Sequence, residues 1–134
     1  MVLRSIKSID EDAYDIKLMD LFNDKDEDKQ FMLDLFTKAI LFDEEYEDIV
    51  QKYTKNWDVE RIAMIDIIIM KMGICEALNF RSIPIKVTLN EYIDLSKRYS
   101  TPKSRIFVNG MLDKIFSDLK KNNKIVKTGR GLLE

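Results

Sequence analysis

One stretch constrains the fold more than any other: NWDVERIAMIDIIIMKMGICEALNF, residues 56–80. From Arg61 onward its charged residues are Arg61, Asp66, Lys71 and Glu76, spaced five apart. At about 100° per residue on a helix they fall near 0°, 140°, 280° and 60°, so no polar face forms. A helix apolar nearly all round needs neighbours on every side. The pattern therefore predicts a buried central helix over about 58–80, capped by Asp58, whose carboxylate can accept a bond from a free backbone N–H.

The rest of the chain supplies the wrapping. Phe31, Leu35, Ile40, Phe42, Tyr46, Ile49, Val50 and Tyr53 recur at three-and-four spacing, which predicts helix from about Glu27 to Thr54. Unbroken, it would run roughly 40 Å, so a bend or break is expected near Phe42–Glu44. Pro84 opens a helix to about Tyr99, and Pro102 can take the first helical position of a last helix to about Asn122. With 4 Gly and 2 Pro in 134 residues, turns are few, and an all-α domain is expected. Residues 1–25 read as a weak N-terminal element, the end of a truncated region. Residues 26–121 form the domain, and 122–134 a basic flexible tail.

A conflict arises at FVNG, residues 107–110. Asn-Gly is a strong hairpin signal. Yet Val108, Leu112, Ile115 and Leu119 form one helical stripe, widened by Phe107, Met111 and Phe116, and a turn at 109–110 would split it. The helix reading prevails. Gly110 inside a helix costs about 1 kcal/mol relative to alanine, so close packing against another helix is expected there. Asn90 interrupts VTLNEYI in a similar way. Asn90 or Asn109 is expected to belong to a half-buried hydrogen-bond set that locks the last two helices together.

Charge is unevenly spread. The net value is −2, but residues 1–56 carry −7 and residues 57–134 carry +5. A basic end on an acidic chain is compatible with a polyanion partner; on charge alone a solvated helix surface with a Lys-rich tail is the reading preferred. No catalytic constellation appears. The chain has no histidine, the usual general base and nitrogen ligand. Its one cysteine, Cys75, lies mid-helix in apolar surroundings and is expected to be buried and inert. The acid clusters 44–48 and 91–94 lack the loop glycine of a calcium site. No enzyme, cofactor or metal is expected, no apolar run is long enough for a membrane span, and a cytoplasmic setting fits.

Three motifs then carry a resemblance: WDVERIAMID, IPIKVTLNEYIDLSK and SRIFVNGMLDKI, in this order, over roughly Asp26 to Phe116. Together they resemble the NusB family of transcription antitermination factors, in its longer form. The resemblance implies a compact helical bundle of two small subdomains. It implies partners as well: the ribosomal protein NusE, boxA-type ribosomal RNA leader and the RNA polymerase antitermination complex. It places Asp66 on the NusE-facing helix, and Lys103, Ser104, Arg105 and Phe107 near bound RNA. The family's arginine-rich first segment is absent from MVLRSIKSIDEDAYD, and Ile106 stands where a basic residue is usual. Two other readings stay open. One is a helical interaction module that docks a ribosomal protein without touching RNA. The other is the accessory domain of an RNA methyltransferase.

Overall fold

A computed structural model describes residues 24–55 and 62–133. The expected N-terminal element and the Asp58 cap lie outside these residues. Among the described residues five α-helices run in order: α1 (Lys25–Leu41), α2 (Asp43–Thr54), α3 (Met64–Asn79), α4 (Ile85–Tyr99) and α5 (Ser104–Lys121). A 3-10 turn follows at Gly129–Leu132. No strand occurs among the described residues, so the fold class is all-α, as the sequence predicts. The chain divides into two compact units, the first closing at Asp34 and the second running Leu35–Glu134.

In the first unit, α1 begins under a side-chain cap. The Asp24 Oδ1 accepts bonds from the backbone N–H groups of Asp26 (3.0 Å) and Glu27 (3.1 Å). Acids at 26, 27 and 28 then meet the positive helix end.

In the second unit, the single long helix expected over 27–54 breaks at Phe42. Its backbone leaves the helical region (φ −108°, ψ 25°). Hydrogen bonds from Phe42 N to Lys38 O and from Tyr46 N to Phe42 O flank the break, so it is a kink rather than a loop. Lys71 ties α2 to α3 through Asp43 and Glu47. The apolar stripe read along this span is only partly core: Leu35, Tyr46 and Val50 are buried, while Ile40 is exposed.

Helix α3 packs against α2, α4 and α5. Ile69, Met70, Gly73, Ile74, Cys75, Glu76 and Ala77 are buried along it. It starts at Met64, later than the expected 58, because Ala63 is extended (ψ 132°). Its first two turns leave Met64 and Ile68 exposed. The close helix contact expected at Gly110 is found instead at Gly73. A Cβ there would lie 3.3 Å from Tyr92 Cγ and 3.5 Å from Leu112 Cδ1. Around Gly110 nothing lies within 4 Å of such an atom, and the residue is exposed. Gly110 thus faces outward in a continuous α5, where its lack of a side chain serves no packing.

Several buried polar groups are paired across helices. Tyr92 donates its hydroxyl to Glu76 Oε2 at 3.0 Å, linking α4 to α3. Asn79 Nδ2 donates to the Tyr46 hydroxyl (3.0 Å) and to Cys75 O (2.8 Å). Cys75 is buried, and burial pushes its thiol up from the ordinary range.

The C-terminal segment expected as a flexible tail is instead tied down. Thr128 N donates to Arg81 O (3.0 Å), and Lys127 Nζ donates to Phe80 O (2.9 Å). The α3–α4 loop thereby supplies acceptors that the segment's own sequence gives no sign of.

Candidate nucleic-acid interface

The chain turns sharply between α4 and α5 through Ser100-Thr101-Pro102-Lys103. Pro102 sits in this turn, before the helix, rather than at its first position; α5 starts at Ser104. The turn is organised by one hydroxyl. Ser104 Oγ donates to Asp66 Oδ2 at 2.6 Å and accepts from Thr101 N at 3.2 Å. It also shares hydrogen bonds with Ser100 Oγ (2.9 Å) and Thr101 Oγ1 (2.8 Å). Ser104 and Asp66 are 2 % and 4 % exposed. The other carboxyl oxygen of Asp66 is buried without a hydrogen-bond partner.

Two residues read from the sequence as separate contacts, one for protein and one for RNA, are therefore a single buried link. It joins the first turn of α3 to the first turn of α5. Ser104 has no surface to offer RNA. Its hydroxyl is spent inside the corner, so its part is to position what flanks it.

The flanking cations Lys103 and Arg105 are both exposed. Phe107 is half-buried. Arg105 lines an open cavity of about 730 Å³ between α4 and α5. Asn90, Ile93 and Asp94 form its α4 wall; Pro102, Arg105, Ile106 and Asn109 form the other. Each wall follows helical spacing, which brings these residues to one face.

This overturns the expected amide lock. Asn90 and Asn109 are exposed, and they face the cavity rather than bridging the helices. The α4–α5 packing is apolar, with Val108, Leu112 and Ile115 fully buried. The buried hydroxyls of Thr88 and Ser96 turn back onto their own helix, at Pro84 O (3.4 Å) and Ile93 O (2.7 Å).

The cavity lining brings together two carboxamides, one guanidinium and, at Asp94, one carboxylate. A carboxamide offers both donors and an acceptor, and so can pair with a base edge. Arginine offers a planar fork to phosphate or a stacking face to a base. Ile106, 78 % exposed, adds an apolar surface at the rim of that wall. Sequence reading missed Asn90, Ile93, Asp94 and Asn109 as cavity residues. The available signal was their spacing of three and four on two helices that flank a proline turn.

Comparison with known proteins gives a consistent picture. The NusB family profile matches residues 2–117. The transcription antitermination protein NusB of Salinibacter ruber is 42 % identical over 105 residues, covering 78 % of this chain and 66 % of that protein. That of Chloroherpeton thalassium is 37 % identical over 106 residues, covering 79 % and 50 %. Among solved structures, T. maritima NusB superposes with a TM-score of 0.66 at 28 % identity, covering 79 % of this chain and 74 % of that one. The chain thus spans between half and two thirds of the length of these two sequence relatives.

Proposed function

The chain belongs to the NusB family, and on that premise we propose that it serves transcription antitermination by binding boxA-type RNA together with the ribosomal protein NusE. It is a binding protein and not an enzyme. The observation that carries the RNA half is the α4–α5 cavity, where Arg105 stands with the exposed amides of Asn90 and Asn109. Lys103 adds a cation at the mouth of the same corner. RNA bases stack and pair there while phosphates meet Lys103 and Arg105. Phe107 is half-buried on the same helix turn.

The protein half rests on α3. Asp66 is too deeply buried to form a broad contact itself. It fixes the first turn of α3 through Ser104, and that turn presents Met64 (77 % exposed) and Ile68 (44 % exposed). These two side chains, four residues apart on one face, form the apolar part of the NusE-facing surface. This same observation favours a second reading, a docking module for the ribosomal protein that leaves RNA to other parts of the complex.

Binding of a boxA-type RNA, measured with and without NusE, separates the two. The first reading predicts RNA affinity that falls with salt as counterions are released, and a further loss on charge reversal at Lys103 and Arg105. RNA affinity indifferent to both changes leaves only the docking module.

A further inference from the structure

Before the start of α4, a second set of cations is carried by the α3–α4 loop and the C-terminal segment. Helix α4 spans 15 residues, and the cavity's wall on it, Asn90 to Asp94, begins about 8 Å along the helix from Ile85. At its start, the α3–α4 loop carries Arg81, which is exposed. The segment after α5 holds Lys127 and Arg130 and no acid from Asn122 to Leu133.

This segment is seated, not merely adjacent. Thr128 N bonds to Arg81 O, Lys127 Nζ bonds to Phe80 O, and Gly131 N bonds back to Thr128 O at 2.9 Å. Gly131 is buried, and a Cβ at that position would lie 1.9 Å from Arg81 O. Only glycine lets the backbone approach this closely. Gly129 takes a positive φ of 54°, which turns the chain into its seat. The consequence is that the backbone beside Arg130 is held against that of Arg81, and both side chains are exposed. Neither forms an ion pair among the described residues.

We propose that the docked C-terminal segment and the α3–α4 loop form a second RNA-backbone contact surface, made by Arg81, Lys127 and Arg130 and separate from the α4–α5 cavity. This surface does not depend on what the cavity binds. Guanidinium forks match phosphate oxygens two at a time, which favours a nucleic-acid backbone over scattered carboxylates. Burial pushes the Lys127 ammonium down from its ordinary range, against a smaller upward pull from Glu76; a neighbouring phosphate adds to that pull. The surface reads charge and not sequence, so its affinity is indifferent to base identity.

The test uses the full chain and a uridine homopolymer of about 16 nucleotides, a length suited to single-strand sites. Each lost phosphate contact lowers the slope of log affinity against log salt by about 0.7. The double variant Arg81→Gln/Arg130→Gln, which alters only exposed side-chain ends, is expected to lower that slope by about 1.4. Gly131→Val keeps every charge but cannot dock the segment. It is expected to weaken binding to a similar degree while leaving helix content unchanged. Unaltered slopes in the double variant overturn the proposal. So does full binding by Gly131→Val, since that outcome assigns any affinity to undocked charge. Competition by a polyglutamate peptide as effective as that by RNA overturns it too. Charge reversal at Lys103 and Arg105, run in parallel with boxA-type RNA, reports on the cavity alone, so each site can fail without the other.

Discussion

Replacing Ser104 by alanine tests whether one hydroxyl holds the α3–α5 corner. The side chain is 2 % exposed and donates to Asp66 Oδ2 at 2.6 Å. Asp66 Oδ1 already lacks a partner, so the alanine variant leaves both carboxyl oxygens without a donor in a site 4 % exposed. A buried acceptor stripped of its donor costs about 1–3 kcal/mol. The remaining bonds of Ser104, to Ser100 and Thr101, lie in a part-exposed turn, where water can replace them for a few tenths of a kcal/mol. Roughly 2 kcal/mol in total is expected, corresponding for a chain of this size to a fall in Tm of about 6–10 °C. Urea unfolding monitored by circular dichroism at 222 nm measures it. A cycle with Asp66→Ala isolates the link: a coupling of about 1 kcal/mol or more is expected for directly bonded residues. RNA affinity should fall as well, because Lys103 and Arg105 are carried by the same turn. A change in stability below about 0.5 kcal/mol, or additive single effects, would refute the reasoning.

Other predictions follow from the same contacts. Gly110→Ala is expected to stabilise the chain by up to about 1 kcal/mol, since the new methyl meets open space and helix propensity improves. Gly73→Val is expected to cost about 1–3 kcal/mol by driving a branched side chain into Tyr92 and Leu112; thermal melts of the pair give opposite shifts. Met64→Lys/Ile68→Lys should abolish NusE binding in calorimetry while shifting Tm by less than about 2 °C, as both side chains are exposed. Alkaline pH should unfold the protein. Burial holds the phenols of Tyr46 and Tyr92 well above the ordinary range, aided at Tyr92 by the Glu76 charge and hydrogen bond and at Tyr46 by a hydrogen bond with Cys75. The unfolded chain ionises them near pH 10, so their stabilisation is complete below that pH and declines as pH rises from there toward the folded-state values. Absorbance at 295 nm should show these phenols ionising together with unfolding rather than before it.

How much of this was legible in the sequence depended on the kind of signal. Helices α4 and α5 could be placed because apolar spacing outlasts local exceptions; the stripe Val108, Leu112, Ile115, Leu119 settled the FVNG conflict, and all four are buried. The kink at Phe42 was legible only as excess length. Spacing says which residues share a face, but not whether that face meets a neighbour. Hence a lock between helices was expected at Asn90 or Asn109 when both line an open cavity, and Ile40 shares the apolar spacing of its helix though it is exposed. The same gap explains the glycines. The sequence marks Gly110 and Gly73 alike, and only the packing of Tyr92 separates them. The Ser104–Asp66 bond joins residues 38 apart, and the seat of Gly131 joins positions 50 apart in sequence. Neither distance has a periodic trace. Their residues were visible, Ser104 and Asp66 even as site candidates, but their pairing was not.

The central claim is that the corner between α4 and α5 receives RNA while α3 serves as the buried scaffold. Backbone amide NMR shifts on titration with a boxA-type RNA test it most directly. The account predicts changes at residues 90–94 and 102–109, accompanied by those the second surface adds near Arg81 and at 127–131, with the buried turns of α3 from Met70 to Ala77 unmoved. Saturable binding with those two segments silent and the changes confined to α1 and α2 would contradict it.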